Sequence, residues 1–303
     1  WIAATDYRAE MHLSDEILNR MADSYRRMRN TARFLLGNLN GFNPETDLLA
    51  VDDMVALDRW AVHRAGELQR LIQPAYAAYK FHHVYQQLHN FCVVDMGGFY
   101  LDIIKDRLYT TGADSHPRRS AQSAMYHVGE AMVRWFSPIL SFTAEEIWSL
   151  LPGERDPSVF LSTFYKLPEP QDLVVDWATL MRVRDSVSKT LEELREADKI
   201  GSGLEADVTV YASDAVKATL EQLAHELRFV FITSEAAAQP ASKRTADAVA
   251  GDGFWVKATP SKYPKCIRCW HRRADVGSEV THPEICVRCA SNVDGPGETR
   301  VYA

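Results

Sequence analysis

Cys266-Ile267-Arg268-Cys269 and, after a spacer of sixteen residues, Cys286-Val287-Arg288-Cys289 are the stretch on which the reading of this chain turns. A C-x2-C turn aims two sulfurs at one point about 2.3 Å from each, and two such turns complete a tetrahedron around Zn²⁺. Four thiolates leave no open coordination position, so the spacing predicts one structural zinc held by Cys266, Cys269, Cys286 and Cys289. His271 could replace one thiolate, but four cysteines are the simpler set. Two disulfides, or a redox pair, are the competing reading of the same spacing.

Lys262, Lys265, Arg268, His271, Arg272, Arg273 and Arg288 crowd the two knuckles, with Trp270 among them on what reads as a short loop. Cations interleaved with an aromatic suit phosphates and an unstacked base. A ribbon with so little else to bury could equally use Trp270 as its own core.

A length of 303 residues with 46% hydrophobic content predicts two or three soluble domains. The net charge of -7 argues against a wholly basic nucleic-acid coat, so any such binding must come from local patches. No run of eighteen apolar residues and no signal peptide is visible, and four of the five cysteines lie in the tetrad, which together read as cytosolic. The fifth, Cys92, reads as a buried small hydrophobe. A chain that starts at Trp1 reads as a piece of something longer.

Residues 1–13 have no period and read as a connector. Ser14-Asp15-Glu16 then offers a cap and first-turn acids for a long helix, along which Ile17, Met21, Tyr25, Met28, Ala32, Leu35, Leu36 and Leu39 recur at threes and fours. The opposite arc carries Arg20, Arg26, Arg27, Arg29, Asn30 and Arg33, nearly unrelieved by acid after Asp23. Solvated helix faces usually mix signs, so this one favours a nucleic-acid backbone. Further helices are expected from Asp52 to Phe81 with a kink near Pro74, and from His82 to Met96 with a break or bend at Gly97-Gly98 before 99–109 continue. Another begins beyond His116-Pro117 and runs toward Leu140, and a short one through Leu151 opens on a capping box at Thr143. His82, His83 and His89 have no further ligands beside them and read as structural or surface residues.

The Pro-rich 152–170 reads as a linker lying across this bundle, and Trp177 to Lys199 as an amphipathic helix ended by Gly201-Ser202-Gly203. The Gly-rich turn follows a helix and precedes a strand, the reverse of the P-loop order, so it reads as a turn. Strand 206–211, helix 215–223, strand 228–233 and strand 253–258 then make a small α+β unit. The expected architecture is mainly α: an antiparallel helical bundle over 14–170, a small α+β unit over 171–260 and a four-cysteine zinc ribbon over 261–303.

At this point particular runs resemble a known family. Tyr25-Arg-Arg-Met-Arg-Asn-Thr-Ala-Arg-Phe-Leu-Leu36, the stretch 81–109 and Phe142-Thr-Ala-Glu-Glu-Ile-Trp148 are similar to the anticodon domain of bacterial isoleucyl-tRNA synthetases. So, for their carboxyl-terminal part, are Lys199-Ile-Gly-Ser-Gly-Leu-Glu-Ala206, Leu227-Arg-Phe-Val-Phe-Ile-Thr-Ser234 and the Cys-x-Arg-Cys-Trp-His knuckle. Residues 1–7 resemble the segment that leaves that family's catalytic domain, whose His-Ile-Gly-His-type and Lys-Met-Ser-Lys-Ser signatures do not occur here. The resemblance therefore implies the anticodon- and zinc-binding portion of a ligase that joins isoleucine to its tRNA with ATP and Mg²⁺. It implies no chemistry by this portion itself. Its partners would be isoleucine tRNA and the catalytic and editing domains, in the cytoplasm.

On that reading Arg26, Arg27, Arg29, Asn30 and Arg33 would line the anticodon stem and loop. Arg268, Trp270, Arg272 and Arg273 would meet splayed bases, with the zinc holding the loops that present them. Gly203 stands where the family leads one to expect Ser, a departure that should only loosen the turn. The rivals are a zinc-ribbon DNA-binding module, a protein-interaction scaffold with incidental arginines, and the anticodon domain of a valyl or leucyl relative. The four-cysteine ribbon tilts the choice to isoleucine.

Overall fold

Ser14 opens the first long helix of the computed structural model, which describes residues Trp1–Ala303. Its hydroxyl accepts the Ile17 amide N–H at 3.2 Å, with Asp15 and Glu16 in the first turn, where unpaired amides favour acids. This helix, α1 (Asp15–Asn38), buries Met28, Thr31, Ala32 and Leu35, while Ile17 and Met21 nearer its start are only half covered. The chain divides into two compact units, residues Trp1–Asp102 with Arg119–Asp172 and residues Ile103–Arg118 with Leu173–Ala303. No helix is long and apolar enough to cross a membrane.

The first unit is a helical bundle of α1, α2 (Ala56–Ala77), α3 (Phe81–Asn90), a π-helical stretch Phe91–Tyr100, and the greater part of α5 (His116–Phe136), completed by α6 (Ser141–Leu150). Between the π-helical stretch and α5 lies α4 (Leu101–Thr110), most of which belongs to the second unit. Trp135 is fully buried in the bundle. Its ring meets Phe91 edge-on at 5.6 Å, its indole N–H donates to Gln69 Oε1 at 2.9 Å, and its carbonyl accepts the Tyr76 hydroxyl at 2.6 Å. An indole can be buried this deeply because its one donor is satisfied. The buried Asp58 accepts from the hydroxyls of Tyr100 and Ser120, and Ser120 Oγ accepts the Val55 amide at 2.8 Å, which pins the start of α2. Residues 152–170 do lie along the bundle: the Tyr165 carbonyl accepts from Gln69 Nε2 at 2.9 Å and Glu169 pairs with Arg70 at 3.0 Å.

Three local expectations are corrected. The break or bend expected at Gly97-Gly98 is a continuous π-helical stretch, where the Leu101 amide bonds the Met96 carbonyl five residues back. The glycines allow the wide turn, since a Cβ on Gly97 would stand 3.0 Å from the Cys92 carbonyl and one on Gly98 3.3 Å from that of Val93. The capping box at Thr143 does not form, because α6 starts at Ser141 and Thr143 lies inside it, hydrogen-bonded to the Tyr25 hydroxyl at 2.9 Å. Glu145 instead accepts from the Ser158 hydroxyl at 3.0 Å and the Val159 amide at 3.2 Å. The strand expected over 228–233 is the third correction.

In the second unit α7 (Trp177–Glu196), capped by Asp176 through the Thr179 amide at 3.1 Å, packs on a four-stranded sheet. The sheet runs β2-β1-β4-β3, from β1 (Ala206–Ala212), β2 (Glu235–Pro240), β3 (Val249–Ala250) and β4 (Phe254–Pro260). β1 pairs parallel with β2 and antiparallel with β4, with Val210 opposite Val256. A parallel pair needs a crossover, and α8 (Asp214–Gln222) with α9 (Leu227–Phe231) supplies it. Residues 227–231 are therefore helical, all five are buried, and Ile232 ends the turn in the left-handed region at φ 55°. A short apolar run buried on every side has no period by which to distinguish helix from strand. The strand is the alanine-rich segment after it, at the edge of the sheet. Gly203 does more than loosen a turn: a Cβ there would stand 2.8 Å from the Ile232 carbonyl.

Candidate metal centre and cation-bearing surfaces

The first knuckle closes on itself. The Trp270 amide donates to the Cys266 carbonyl at 2.9 Å and the Cys266 amide to the His271 carbonyl at 2.9 Å, with Trp270 at φ 65°. In the second, Cys286 is the N-cap of α10 (Val287–Asp294) and Cys289 lies in its first turn, so the two sulfurs share one helix face. The Cys286 amide reaches Cys266 Sγ at 3.4 Å, which ties the knuckles together.

All four cysteines are buried and none is in a disulfide. Their sulfurs lie within 4.8 Å of one another, Cys269 and Cys286 being 3.8 Å apart. A tetrahedron of about 2.3 Å metal–sulfur bonds has edges of about 3.8 Å, so the set fits a metal ion. Hydrogen bonds among the four thiols push Cys266 and Cys286 down from the ordinary thiol range and push Cys269 and Cys289 up. His271 is not one of the four clustered ligand residues: its Nδ1 lies 3.2 Å from the Cys269 carbonyl and the ring meets Phe229 edge-on at 5.6 Å.

Ile285, Ala290 and partly buried Val276 pack with the cysteines. Trp270 is not in that core. It is 59% exposed, and the Lys265 ammonium lies 5.2 Å from the centre of its ring. Arg268 donates to the Thr110 carbonyl at 3.3 Å, Arg272 lies 3.4 Å from both the Tyr263 carbonyl and Glu205, and Arg273 pairs with Glu235 at 2.6 Å. Sequence reasoning missed the group that anchors the module. Arg288 grips Asp106 of α4 through both nitrogens at 2.6 and 2.9 Å and meets Glu298 at 3.1 Å, while Arg300 reaches Asp106 at 2.7 Å and lies over the Phe229 ring. The two guanidiniums hold the Asp106 carboxyl well below the usual carboxylate range despite burial. Nothing local in the sequence links Asp106 to residues so far along the chain.

The predicted cations of α1 stay together on its exposed face. Arg27, Asn30 and Arg33 are exposed and free of ion pairs; Arg26 pairs with Asp23 at 2.6 Å, and Arg29 with Glu146 of α6 at 2.9 Å. The relief by acid comes from another helix, which the spacing along α1 does not reveal.

Among known proteins, the sequence model described as the anticodon-binding domain of tRNA ligase matches residues 58–210. The chain is 55% identical over 310 aligned residues to an isoleucine–tRNA ligase of Nitrosococcus oceani and 56% to one of Pseudomonas fluorescens strain Pf0-1. It is 53% identical over 307 to one of Saccharophagus degradans. Each match covers 100% of this chain and 33% of the relative, so the chain spans about a third of the length of these curated relatives. Similarity that spans the helical bundle, the sheet and the cysteine knuckles, with the family model matching residues 58–210, places the chain in the family of tRNA ligases that carry an anticodon-binding domain.

Proposed function

We propose that this chain is the tRNA-holding part of an isoleucine–tRNA ligase, acting in the cytoplasm with one structural zinc. The carrying observation is identity of 55% to such a ligase across the whole chain, the cysteine module included. Zn²⁺ is the metal favoured by four thiolates within 4.8 Å, and a closed four-sulfur set supplies rigidity rather than a reactive position. Buried thiols without disulfides suit a reducing compartment.

In this reading the free guanidiniums of Arg27 and Arg33 and the Asn30 amide meet the phosphates and sugars of the anticodon stem, with Arg26 and Arg29 joining them by leaving weak exposed ion pairs. Those contacts fix register without reading sequence. Trp270, held out on its knuckle beside Arg268, Arg272 and Arg273, offers a ring to an unstacked anticodon base. Activation of isoleucine and its transfer belong, on this reading, to the part of the relatives that this chain does not span.

The test is equilibrium binding of the zinc-loaded and zinc-stripped chain to isoleucine tRNA and to the same tRNA with its anticodon replaced. The zinc-loaded chain should prefer the native anticodon, and stripping should abolish the preference. Trp270→Ala should cost roughly 1–3 kcal/mol against the native anticodon. Equal affinity for both tRNAs, unmoved by zinc and by Trp270→Ala, sinks the reading; equally tight binding of duplex DNA would favour a DNA-binding module.

A further inference from the structure

The two cysteine knuckles carry an arginine at the same place, the residue before the second cysteine: Arg268 in Cys-Ile-Arg-Cys and Arg288 in Cys-Val-Arg-Cys. Both arginines run to the last turn of α4. Arg288 gives two guanidinium nitrogens to the Asp106 carboxylate at 2.6 and 2.9 Å, and Arg268 donates to the Thr110 carbonyl at 3.3 Å. His271, on the first knuckle, adds its Nδ1 at 4.0 Å from Asp106 Oδ1. Asp106 and Thr110 lie one turn apart on the same helix, where the Thr110 hydroxyl donates to the Asp106 carbonyl at 2.7 Å. One face of α4 therefore touches both halves of the four-sulfur set.

The grip on Asp106 is closed into a ring. Glu298 accepts from Arg288 at 3.1 Å and from Arg300 Nε at 2.6 Å, and Arg300 returns to Asp106 at 2.7 Å, so two carboxylates and two guanidiniums alternate. All four side chains are at most 14% exposed. Taking such charges out of water offsets much of their mutual attraction, so the ring is a weak source of net stability. What it fixes is direction, because a planar guanidinium bonded through two nitrogens to one carboxylate resists turning. Arg288 stands between Cys286 and Cys289, and holding it holds the rotation of α10 and both sulfurs at its start. The small core of Ile285, Ala290 and Val276 gives little else to set that angle.

We infer that α4, through Asp106, is the template that keeps the two cysteine knuckles in register for the metal, and that Asp106 is a positioning residue of the metal centre. This rests on the metal reading above and adds to it a determinant of metal retention that lies 182 residues before Arg288 in the chain. Without the template each pair of sulfurs keeps its own turn, but the two pairs shift against each other. One pair then leaves the metal without the other, which opens the ion to a competing chelator. Partners that orient ligand-bearing residues commonly change metal affinity by about 10–100-fold.

The experiment compares the wild-type chain with Asp106→Asn, with Arg288→Lys, which keeps the charge but not the two-nitrogen grip, and with Val210→Ala. Val210 is fully buried in β1 opposite Val256, so its truncation lowers stability without touching α4 or the knuckles. Each chain is loaded with Zn²⁺ and its transfer to a chromogenic chelator is timed under native conditions; each is also loaded with Co²⁺, whose visible absorption reports the geometry of the four sulfurs. Asp106→Asn and Arg288→Lys should both release zinc tenfold or more faster than wild type and shift the cobalt absorption, while Val210→Ala melts earlier yet releases zinc within twofold of wild type. If Asp106→Asn fails to fold, as its circular dichroism would show, Arg288→Lys alone carries the same expectation. Release within twofold of wild type and an unchanged cobalt spectrum in the folded variants would make α4 a mere packing surface, and the inference would fall while the metal reading stands. Release from Val210→Ala as fast as from the other two would trace the effect to lost stability and sink the inference as well. If the wild-type chain takes up neither Zn²⁺ nor Co²⁺, the metal reading itself falls and the inference with it.

Discussion

Arg288 lies between two metal-ligand positions yet faces away from the metal centre, spending both guanidinium nitrogens on Asp106. At the residue scale this is the recurrent lesson of the molecule: a cation's neighbours along the chain do not reveal its partner. Arg29 and Glu146 repeat it in the bundle. His127 is a third residue whose setting only packing creates. It is 6% exposed, with Nδ1 2.9 Å from the Tyr165 hydroxyl, and burial pushes its pKa down from 6.5 to about 4. The unfolded chain therefore takes up this proton before the folded one does. Stability from the neutral imidazole is complete above about pH 6.5 and declines as pH falls toward about 4, by up to on the order of 3 kcal/mol. Urea unfolding from pH 7 to pH 4.5 should show this decline, and His127→Gln should flatten it. An unchanged slope in the variant would mean that other groups govern the acid limb.

At the scale of elements, the long helices were legible because each carries its period and its start signal, as Ser14 does for α1. The crossover helix α9 was not, because its five residues are buried all round and their type is set by the need to carry the chain between two parallel strands. The π-helical stretch was visible only as two glycines; that they widen a turn rather than end it depends on the Cys92 and Val93 carbonyls behind them. The cysteine module has a small core, Ile285, Ala290 and Val276 around the sulfurs. On the proposed reading, metal binding supplies much of its folding free energy. Cys286→Ser should lose the bound metal and the fixed environment of Trp270, seen as a shift of its fluorescence, while the helical circular-dichroism signal stays nearly intact. Collapse of the whole helical signal would show that the module is not an independent folding element.

At the scale of the whole molecule, a net charge of -7 sets a repulsive background for RNA, so binding must be carried by the few unpaired cations. Arg27→Ala and Arg33→Ala should each weaken binding of all tRNAs alike and flatten the dependence of log affinity on log salt by about one unit. Unchanged slopes would return those arginines to an ordinary solvated face. Gly203 shows the same reach of tertiary structure over local reading, since only the position of the Ile232 carbonyl, 2.8 Å from its missing Cβ, explains the glycine.

What the sequence by itself determined is whatever a short-range pattern encodes: the helical bundle from its apolar period, the clustering of four cysteines from C-x2-C spacing, and the cationic arc of α1. What only the tertiary structure decided is which of those cations are free, whether Trp270 is core or surface, where the second strand lies, and that Asp106 anchors the cysteine module. The physical reason is common to all four. Periodicity and ligand spacing are properties of neighbouring residues on one backbone, whereas ion-pair partners, burial and strand pairing depend on distances between segments that come together only when the chain has folded.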